Sequence, residues 1–172
     1  MEFYEVVKTR QSIRNYDPNK QVDKTVLNRI LEAGRMAPSA ANKQPYYFIV
    51  IKSPEILNKI KECYGQPWFQ DAPCIIAVVG KNNEAWTRKY DSYNPLETDL
   101  AIAMDHIILA ATNEGLGTCW IAAFDPIILR KALDLKENEK VYTITPLGYP
   151  KLDFVKNDTK NRKTLAEIVK FL

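Results

Sequence analysis

The sequence predicts a single α+β domain, residues 1–172, with a three-layer α/β/α arrangement of helices and sheet. Four apolar runs of strand length alternate with about six segments that carry helical spacing or helix-capping residues. The chain has 172 residues, of which 46% are hydrophobic and 26% are charged, and this suffices to bury one sizeable core. No repeat, low-complexity stretch or linker divides it.

Two helices are predicted before the first strand. Residues 2–9 form a short amphipathic helix. Asp23 is a good N-cap for a second helix, and Pro38 ends that helix because proline lacks a backbone N–H. Gly34 inside the second helix costs about 1 kcal/mol relative to alanine, which indicates a close neighbour that needs the space.

Two strands and another helix follow. Tyr46–Ile51 is rich in aromatic and β-branched residues and predicts a strand buried on both faces. Ser53 and Pro54 suit the N-cap and the first position of a helix. Cys74–Val79 predicts the second strand, and a polar loop with three aromatic side chains occupies residues 81–95.

The segment Leu96–Glu114 consists mostly of alanine, isoleucine, leucine and methionine. A helix that is apolar around most of its circumference lies in the middle of a fold or at a subunit interface. Gly115 then suits the position just after a helix end, and Thr118–Phe124 predicts a third strand.

The remaining elements are a helix, a strand and a final helix. Asp125 is placed to cap a helix that runs through Leu133, and Lys140–Leu147 predicts the fourth strand. Thr164 begins a capping box for a last helix that extends to Phe171.

Composition argues against several classes of protein. A net charge of +3, with basic and acidic residues interleaved, does not indicate nucleic-acid binding. No window approaches 18 apolar residues, and Met1–Glu5 is not a signal peptide, so we expect no membrane association. Cys63, Cys74 and Cys119 are odd in number and form no CxxC pair. A reducing compartment, and hence a cytoplasmic location, is expected.

Arg10-Gln11-Ser12-Ile13-Arg14 places two guanidinium groups and one hydroxyl within five residues. The planar fork of arginine matches phosphate geometry, and a serine hydroxyl can donate to the same oxygens. The stretch therefore predicts an anion cradle, with a solvated basic loop as the alternative.

Residues for acid–base, nucleophilic or metal chemistry are scarce. The Gly115-x-Gly117 pair follows a helix and opens a strand, which is the reverse of a dinucleotide-binding loop. His106 lies in the apolar helix, as a core or interface histidine would, and Cys119 has no evident base beside it. One histidine and scattered cysteines offer almost no ligand set for a metal, so an organic cofactor fits better.

Three later segments accompany the basic loop: Pro38–Pro45, Gly115–Phe124 and Lys160–Lys163. In this order and at these separations, the four segments resemble the FMN-dependent nitroreductase family over nearly the whole chain. The resemblance implies a mixed sheet flanked by helices and an intertwined homodimer with two FMN molecules at its interface. It assigns cofactor-binding positions to Arg10, Gln11, Ser12, Arg14, Pro38, Ser39, Ala40, Asn42, Gln44, Trp120, Ile121, Ala122, Ala123, Lys160, Arg162 and Lys163.

Within this set the resemblance implies distinct roles. Arg10 and Ser12 would hold the phosphate with help from the C-terminal cations, and Arg14 would lie toward the flavin ring. The backbone N–H groups of Ala122 and Ala123 would approach N5 and O4, although many relatives carry glycine where this chain has Ala122. Arg14, Ala122 and Ala123 are thus the predicted catalytic positions, with no side-chain acid or base identified. The segment Pro38–Pro45 would cover the flavin from the other subunit; a plain helix-ending turn is the alternative.

The implied activity is a two-electron, ping-pong oxidoreductase reaction that uses NADH or NADPH and a small-molecule acceptor such as a nitroaromatic compound or a quinone. The loop at residues 81–95 is short for the family. This leaves acceptor selection to Trp86, Tyr90 and Tyr93, with Trp68 and Phe69 as further candidates, or to an open site. Two alternatives remain open. One is another reaction on the same flavin scaffold, such as reductive dehalogenation or flavin destruction, and the other is a flavin-binding or sensing protein with slow turnover.

Overall fold

The structure, a computed structural model, describes residues 1–157 and 159–172. The helices described are α1 (Phe3–Thr9), α2 (Lys24–Arg35), α3 (Pro54–Lys61), α4 (Leu96–Asn113), α5 (Pro126–Ala132) and α6 (Leu165–Ile168). The strands are β1 (Tyr46–Ile51), β2 (Cys74–Lys81), β3 (Gly117–Thr118) and β4 (Glu139–Gly148), with 3-10 turns at Ala40–Asn42 and Pro67–Asp71. In the part of the chain so described, no helix is both long enough and apolar enough to cross a membrane.

The four strands form one sheet in the order β1-β2-β4-β3, and each neighbouring pair is antiparallel. The parallel component of the expected mixed sheet is limited, among the described residues, to a bridge between Ser12 and Thr118. β2 is buried along nearly its whole length because it lies inside the sheet with helices on both faces.

Each face of the sheet supports a separate apolar core. On one side α2 and α4 pack together, and Leu100, Met104 and Ile107 of α4 are fully buried there. On the other side α3 and α5 pack together over Ile60 and Leu129. Helices on both faces of one sheet make three layers, so the predicted α+β class and layering are confirmed.

Local capping chemistry sets most helix ends where it was predicted. The Asp23 carboxylate accepts hydrogen bonds from Thr25 N and Val26 N, and Asp125 caps α5 in the same way. Gly115 follows α4 with a φ of 76°, a conformation that favours glycine. A Cβ atom on Gly34 would lie 2.7 Å from a carbon of Ile107, which confirms the expected close neighbour.

Three sequence predictions were wrong: the length of the third strand, the length of the last helix and the burial of the first strand. The strand expected over Thr118–Phe124 stops at Thr118, because Cys119 N donates to the Thr145 hydroxyl instead of a main-chain carbonyl. The last helix has its predicted capping box but ends at Ile168 instead of Phe171, since none of its residues is buried and a short helix is unstable without packing. β1 is only partly buried at five of its six positions, because in this chain it forms an edge of the sheet.

Candidate active site

The segment after α1 runs alongside the short strand β3. Ile13 N donates to Thr118 O at 2.8 Å, and Ser12 forms a parallel bridge with Thr118. A Cβ atom on Gly117 would lie 2.8 Å from the Ile13 Cβ atom, so this close approach requires glycine. The predicted anion-binding residues are therefore attached to the edge of the sheet and not to a free loop.

Alternation along this extended segment groups its polar side chains. Residues at i, i+2 and i+4 of an extended chain face the same side. Ile13 is buried, whereas Arg14, Ser12 and Arg10 all act on the Cys119 thiol: burial raises the pKa of that thiol, and these three residues offset part of the rise. The three residues named in the sequence prediction are thus brought together on one side of the segment.

The C-terminal segment adds further positive charge at the end of α1. Lys160 Nζ donates to Val7 O at 2.8 Å, and Asn157 N donates to Gln11 Oε1 at 3.1 Å. The pKa of Lys160 is lowered by burial first, and then by the neighbouring charges of Arg10, Arg162 and Lys156. Like charges held this close form a site that favours an anion.

The three cations predicted for this cradle, Arg10, Lys160 and Arg162, are brought together. Lys163 is exposed and is not among the groups that shift the pKa of Lys160. Lys156 was not predicted, although it lies only four residues before Lys160 in the sequence.

The Arg14 side chain is exposed and lies over an aromatic cluster. Its Cζ atom is 5.9 Å from the centroid of the Trp68 ring, a distance at which a cation is attracted to a ring face. Its charge also acts on Tyr16, although burial dominates there and raises the pKa of Tyr16 well above its usual value. Trp68 therefore supports Arg14, a role that the sequence did not reveal.

Neither the cysteines nor the histidine supplies a reactive group at this site. Burial raises the pKa of the Cys119 thiol despite the nearby cations, and it raises the pKa of Cys63 to about 11 and of Cys74 to about 12. These thiols stay protonated at neutral pH and so are poor nucleophiles. The Nδ1 atom of His106 lies 3.2 Å from Ala33 O, between α4 and α2, as expected for a core or interface histidine.

The chain after β3 presents exposed backbone next to the Arg10–Arg14 segment. Ile121 is buried and exchanges two 3.0 Å hydrogen bonds with Ile144, while the Trp120 ring packs edge-on against Tyr142. Ala122 and Ala123 are exposed, and in the described structure their N–H groups donate to no other protein group. These two donors are consequently available to a ligand.

The predicted segment Pro38–Pro45 lies beside the first turn of α4. Ala40 N donates to the Asp99 carboxylate at 2.9 Å, Gln44 N donates to Ser39 Oγ at 2.9 Å, and the Gln44 side chain donates to Asn42. No hydrogen bond within the described chain links this segment to the Arg10–Arg14 segment. One chain thus assembles three of the four predicted segments and holds the fourth separately.

Proteins of known family resemble this chain over most of its length. The family model described as Nitroreductase family matches residues 7–149. A protein of Archaeoglobus fulgidus, named as a candidate NADH dehydrogenase/NAD(P)H nitroreductase, is 33% identical over 165 residues that cover 92% of each chain. The alignment with iodotyrosine deiodinase 1 of Rattus norvegicus is 205 positions long and 29% identical, and it covers 98% of this chain and 68% of the deiodinase.

Solved structures show the same relationship. A nitroreductase family protein from Clostridium difficile 630 has a TM-score of 0.91 and 35% identity, and the match covers 99% of this chain and 98% of that one. An FMN-dependent nitroreductase from Clostridium difficile R20291 has a TM-score of 0.80 and 27% identity, with 96% of each chain covered. The first of these matches spans nearly the whole chain, as the four segments of the candidate site also do.

Proposed function

The chain belongs to the nitroreductase family and is an NAD(P)H-dependent oxidoreductase, and from that premise we propose that it binds FMN and reduces a small-molecule acceptor such as a nitroaromatic compound or a quinone. The observation that carries the FMN proposal is the cluster of cations at the end of α1, where Lys160 Nζ donates to Val7 O at 2.8 Å. Burial lowers the pKa of Lys160, and the neighbouring charges of Arg10, Arg162 and Lys156 lower it further. A terminal phosphate monoester carries the charge that such a cluster favours. We further propose that the protein acts in the cytoplasm.

The residues present fit an FMN phosphate. Arg10 and Arg162 offer planar donor groups, Lys160 offers a compact charge, and Ser12 adds a hydroxyl on the same side as Arg10. Gln11 accepts from Asn157 N and so ties the C-terminal segment to the cradle. Lys163, which is exposed on the same segment, would contribute only long-range attraction.

The ring would lie between Arg14 and the backbone after β3. Bound flavin would supply the redox chemistry, since it can take a hydride from NAD(P)H and pass two electrons to an acceptor. Arg14 would place a positive charge beside the ring and favour a reduced, anionic state, while Ala122 N–H and Ala123 N–H are free to donate. Trp120 and Ile121 would pack behind this backbone. Cys119 is buried and His106 lies between α4 and α2, so the acceptor would take its proton from water or from flavin N5.

A second copy of the chain would complete the site. Pro38–Pro45 lies apart from the other segments in one chain, as expected if it covers the FMN of a partner. The C-terminal segment is also uncovered: Phe171 and Leu172 are almost fully exposed, as are Tyr4 and much of Phe3 in α1. Exposed apolar residues in such numbers favour an interface. The chain's own sheet and α2 already cover most of α4. The proposed interface would therefore use the partly exposed residues of α4 together with the two termini.

Reductive dehalogenation is the second candidate reaction. It is favoured by the similarity to iodotyrosine deiodinase 1, which extends over 98% of this chain. The loop at residues 81–95 would decide between acceptors, since it carries Trp86, Tyr90 and Tyr93, the last two of them exposed. A flavin-binding protein with slow turnover would use the same cradle but would lack a fast reaction with an acceptor.

One purification separates these possibilities. The protein should be yellow, and the flavin released on denaturation should be FMN and not FAD. Mixing with NADH or NADPH without oxygen should bleach the flavin within the time of one turnover, and a nitroaromatic compound or quinone should restore the colour. Faster reoxidation by a halogenated phenol, with release of halide, would favour dehalogenation. Failure of every acceptor would favour the slow flavin-binding protein, and a colourless protein that binds no added FMN would refute the proposal.

A further inference from the structure

The segment from Ser39 to Gln44 holds an unusual backbone. Ala41, Asn42 and Gln44 have φ values of 49°, 52° and 48°, in the left-handed region that favours glycine. None of them is glycine. Such conformations persist only where surrounding interactions hold them, and they concentrate at sites that bind ligands. We therefore expect a group outside the segment to hold it in this shape.

In the described chain, the side chain outside the segment that hydrogen-bonds to it is Asp99. Its Oδ1 atom accepts the Ala40 N–H at 2.9 Å, whereas the other side-chain bonds in the segment join Ser39, Asn42 and Gln44 to one another. The contact joins residues 59 positions apart. A carboxylate acceptor makes a stronger hydrogen bond to a backbone N–H than a neutral acceptor does.

The surroundings of Asp99 indicate that it is not present for packing. The residue is 2% exposed, whereas the other two acids of α4, Glu97 and Asp105, are exposed. Its Oδ2 atom is buried without a hydrogen-bond partner in the described chain. Burying an incompletely satisfied carboxylate destabilises a fold, and an alanine or leucine would avoid that penalty. Its place in the first turn of α4 offsets only part of this, through the helix dipole. A cost of this kind points to a function for the contact with Ala40.

We propose that Asp99 is a positioning residue that fixes Ser39–Gln44 in the shape required to cover FMN. The structural half of this proposal is that Asp99 holds the segment, and it does not depend on whether the protein binds FMN. The functional half rests on the proposed FMN site, because it assumes that this segment contacts the cofactor. Asp99 touches neither the cofactor nor the acceptor in this account and acts through the Ala40 backbone.

Three variants test both halves: Asp99→Ala removes the acceptor, Asp99→Asn keeps a neutral acceptor, and Glu55→Ala is the control. Glu55 is also an acid in the first turn of a helix, but it is exposed and pairs with Lys59. The first measurement is amide hydrogen exchange across residues 38–45 of the full-length protein without FMN. The second is the Kd for FMN, from quenching of flavin fluorescence.

Asp99→Ala should speed exchange in residues 38–45 and weaken FMN binding, each on the order of tenfold. Asp99→Asn should show a smaller change in both measurements, because its amide oxygen can still accept from Ala40, and Glu55→Ala should match wild type. A merely destabilised protein would show faster exchange throughout, and the asparagine would not restore the segment selectively.

Unchanged exchange in Asp99→Ala, or an Asp99→Asn variant as impaired as the alanine, would overturn the structural half. If Asp99→Ala does not fold, Asp99→Asn alone is decisive, and exchange identical to wild type would overturn the proposal. Faster exchange with an unchanged Kd for FMN would overturn the functional half. A wild-type protein that binds no FMN would instead refute the proposed function and leave the exchange result standing.

Discussion

Replacing Arg10 by alanine tests the phosphate cradle at its centre. The Arg10 guanidinium lies near Lys160 and Arg162, and its charge contributes to the lowered pKa of Lys160. One charge-assisted hydrogen bond contributes about 1.5–3 kcal/mol, so Arg10→Ala should weaken FMN binding roughly ten- to a hundredfold. Riboflavin carries the same ring without the phosphate, and its affinity should therefore be nearly the same in the variant and in wild type.

The assay is a fluorescence titration of flavin-depleted protein with FMN, riboflavin and FAD. Lys8→Ala is the matched control, because Lys8 is an exposed cation in the last turn of α1 that is not among the groups acting on Lys160. FMN should bind more tightly than FAD, since the cradle recognises a terminal phosphate. Equal losses for FMN and riboflavin in Arg10→Ala, equal binding of FAD and FMN in wild type, or an equal loss in Lys8→Ala would each refute the assignment.

Three further predictions follow from the same geometry. Arg14→Ala should slow flavin reduction by NAD(P)H roughly 10²–10³-fold in stopped-flow experiments, whereas Cys119→Ser should stay within a few-fold of wild type; a collapse in the cysteine variant would place the chemistry elsewhere. Gly117→Ala would place a Cβ atom 2.8 Å from Ile13, so urea unfolding should show a loss of about 1–3 kcal/mol in the free energy of unfolding. Gly65→Ala is the control: a Cβ atom there would meet no atom within 4 Å, so its free energy of unfolding should differ from wild type by less than about 0.5 kcal/mol. Sedimentation at micromolar concentration should show a homodimer with two FMN, and a monomer that retains FMN would contradict the shared site.

Helix ends could be predicted because their determinants are local in sequence. Asp23 and Asp125 accept hydrogen bonds from backbone N–H groups two and three residues further on, and Gly115 adopts a backbone that favours glycine. Pro38 constrains the residues before it, and α2 ends at Arg35. None of these signals depends on the rest of the fold.

The extents of the third strand and of the last helix depend on groups that sequence patterns do not connect. Pairing beyond Thr118 is interrupted because the Thr145 hydroxyl, 26 residues after Cys119, takes the next backbone donor. The last helix has a correct start at Thr164, but nothing in the part of the chain that the structure describes covers its apolar side chains, and Val169 is extended. Periodicity detects which residues suit an element, whereas partners and packing decide where the element stops.

The candidate site shows the same difference between signals that are local in sequence and contacts that join distant segments. Arg10, Lys160 and Arg162 could be proposed from the sequence because arginine, lysine and serine have a direct chemical match to phosphate. Trp68 and Asp99 could not be assigned their roles, since each acts through a single contact between distant segments. Asp99 is one of three acids in α4, and the sequence does not show that it is the one that is buried and accepts from Ala40.

In the proposed FMN site, the spacing of the Arg10–Arg14 segment would place the phosphate-binding residues and the residue beside the flavin ring on one side of the chain. Alternate residues of an extended chain face one side, so a phosphate held near Arg10 and Ser12 lies on the same side as Arg14. Ile13 is buried on the other side and packs closely against Gly117. A shift of one residue would bury the arginines and expose Ile13. The close approach of Gly117 to Ile13 thus decides which side of the segment would face the proposed FMN. Ser12 and Ile13, which lie between the two arginines, are held at the sheet edge by their contacts with Thr118.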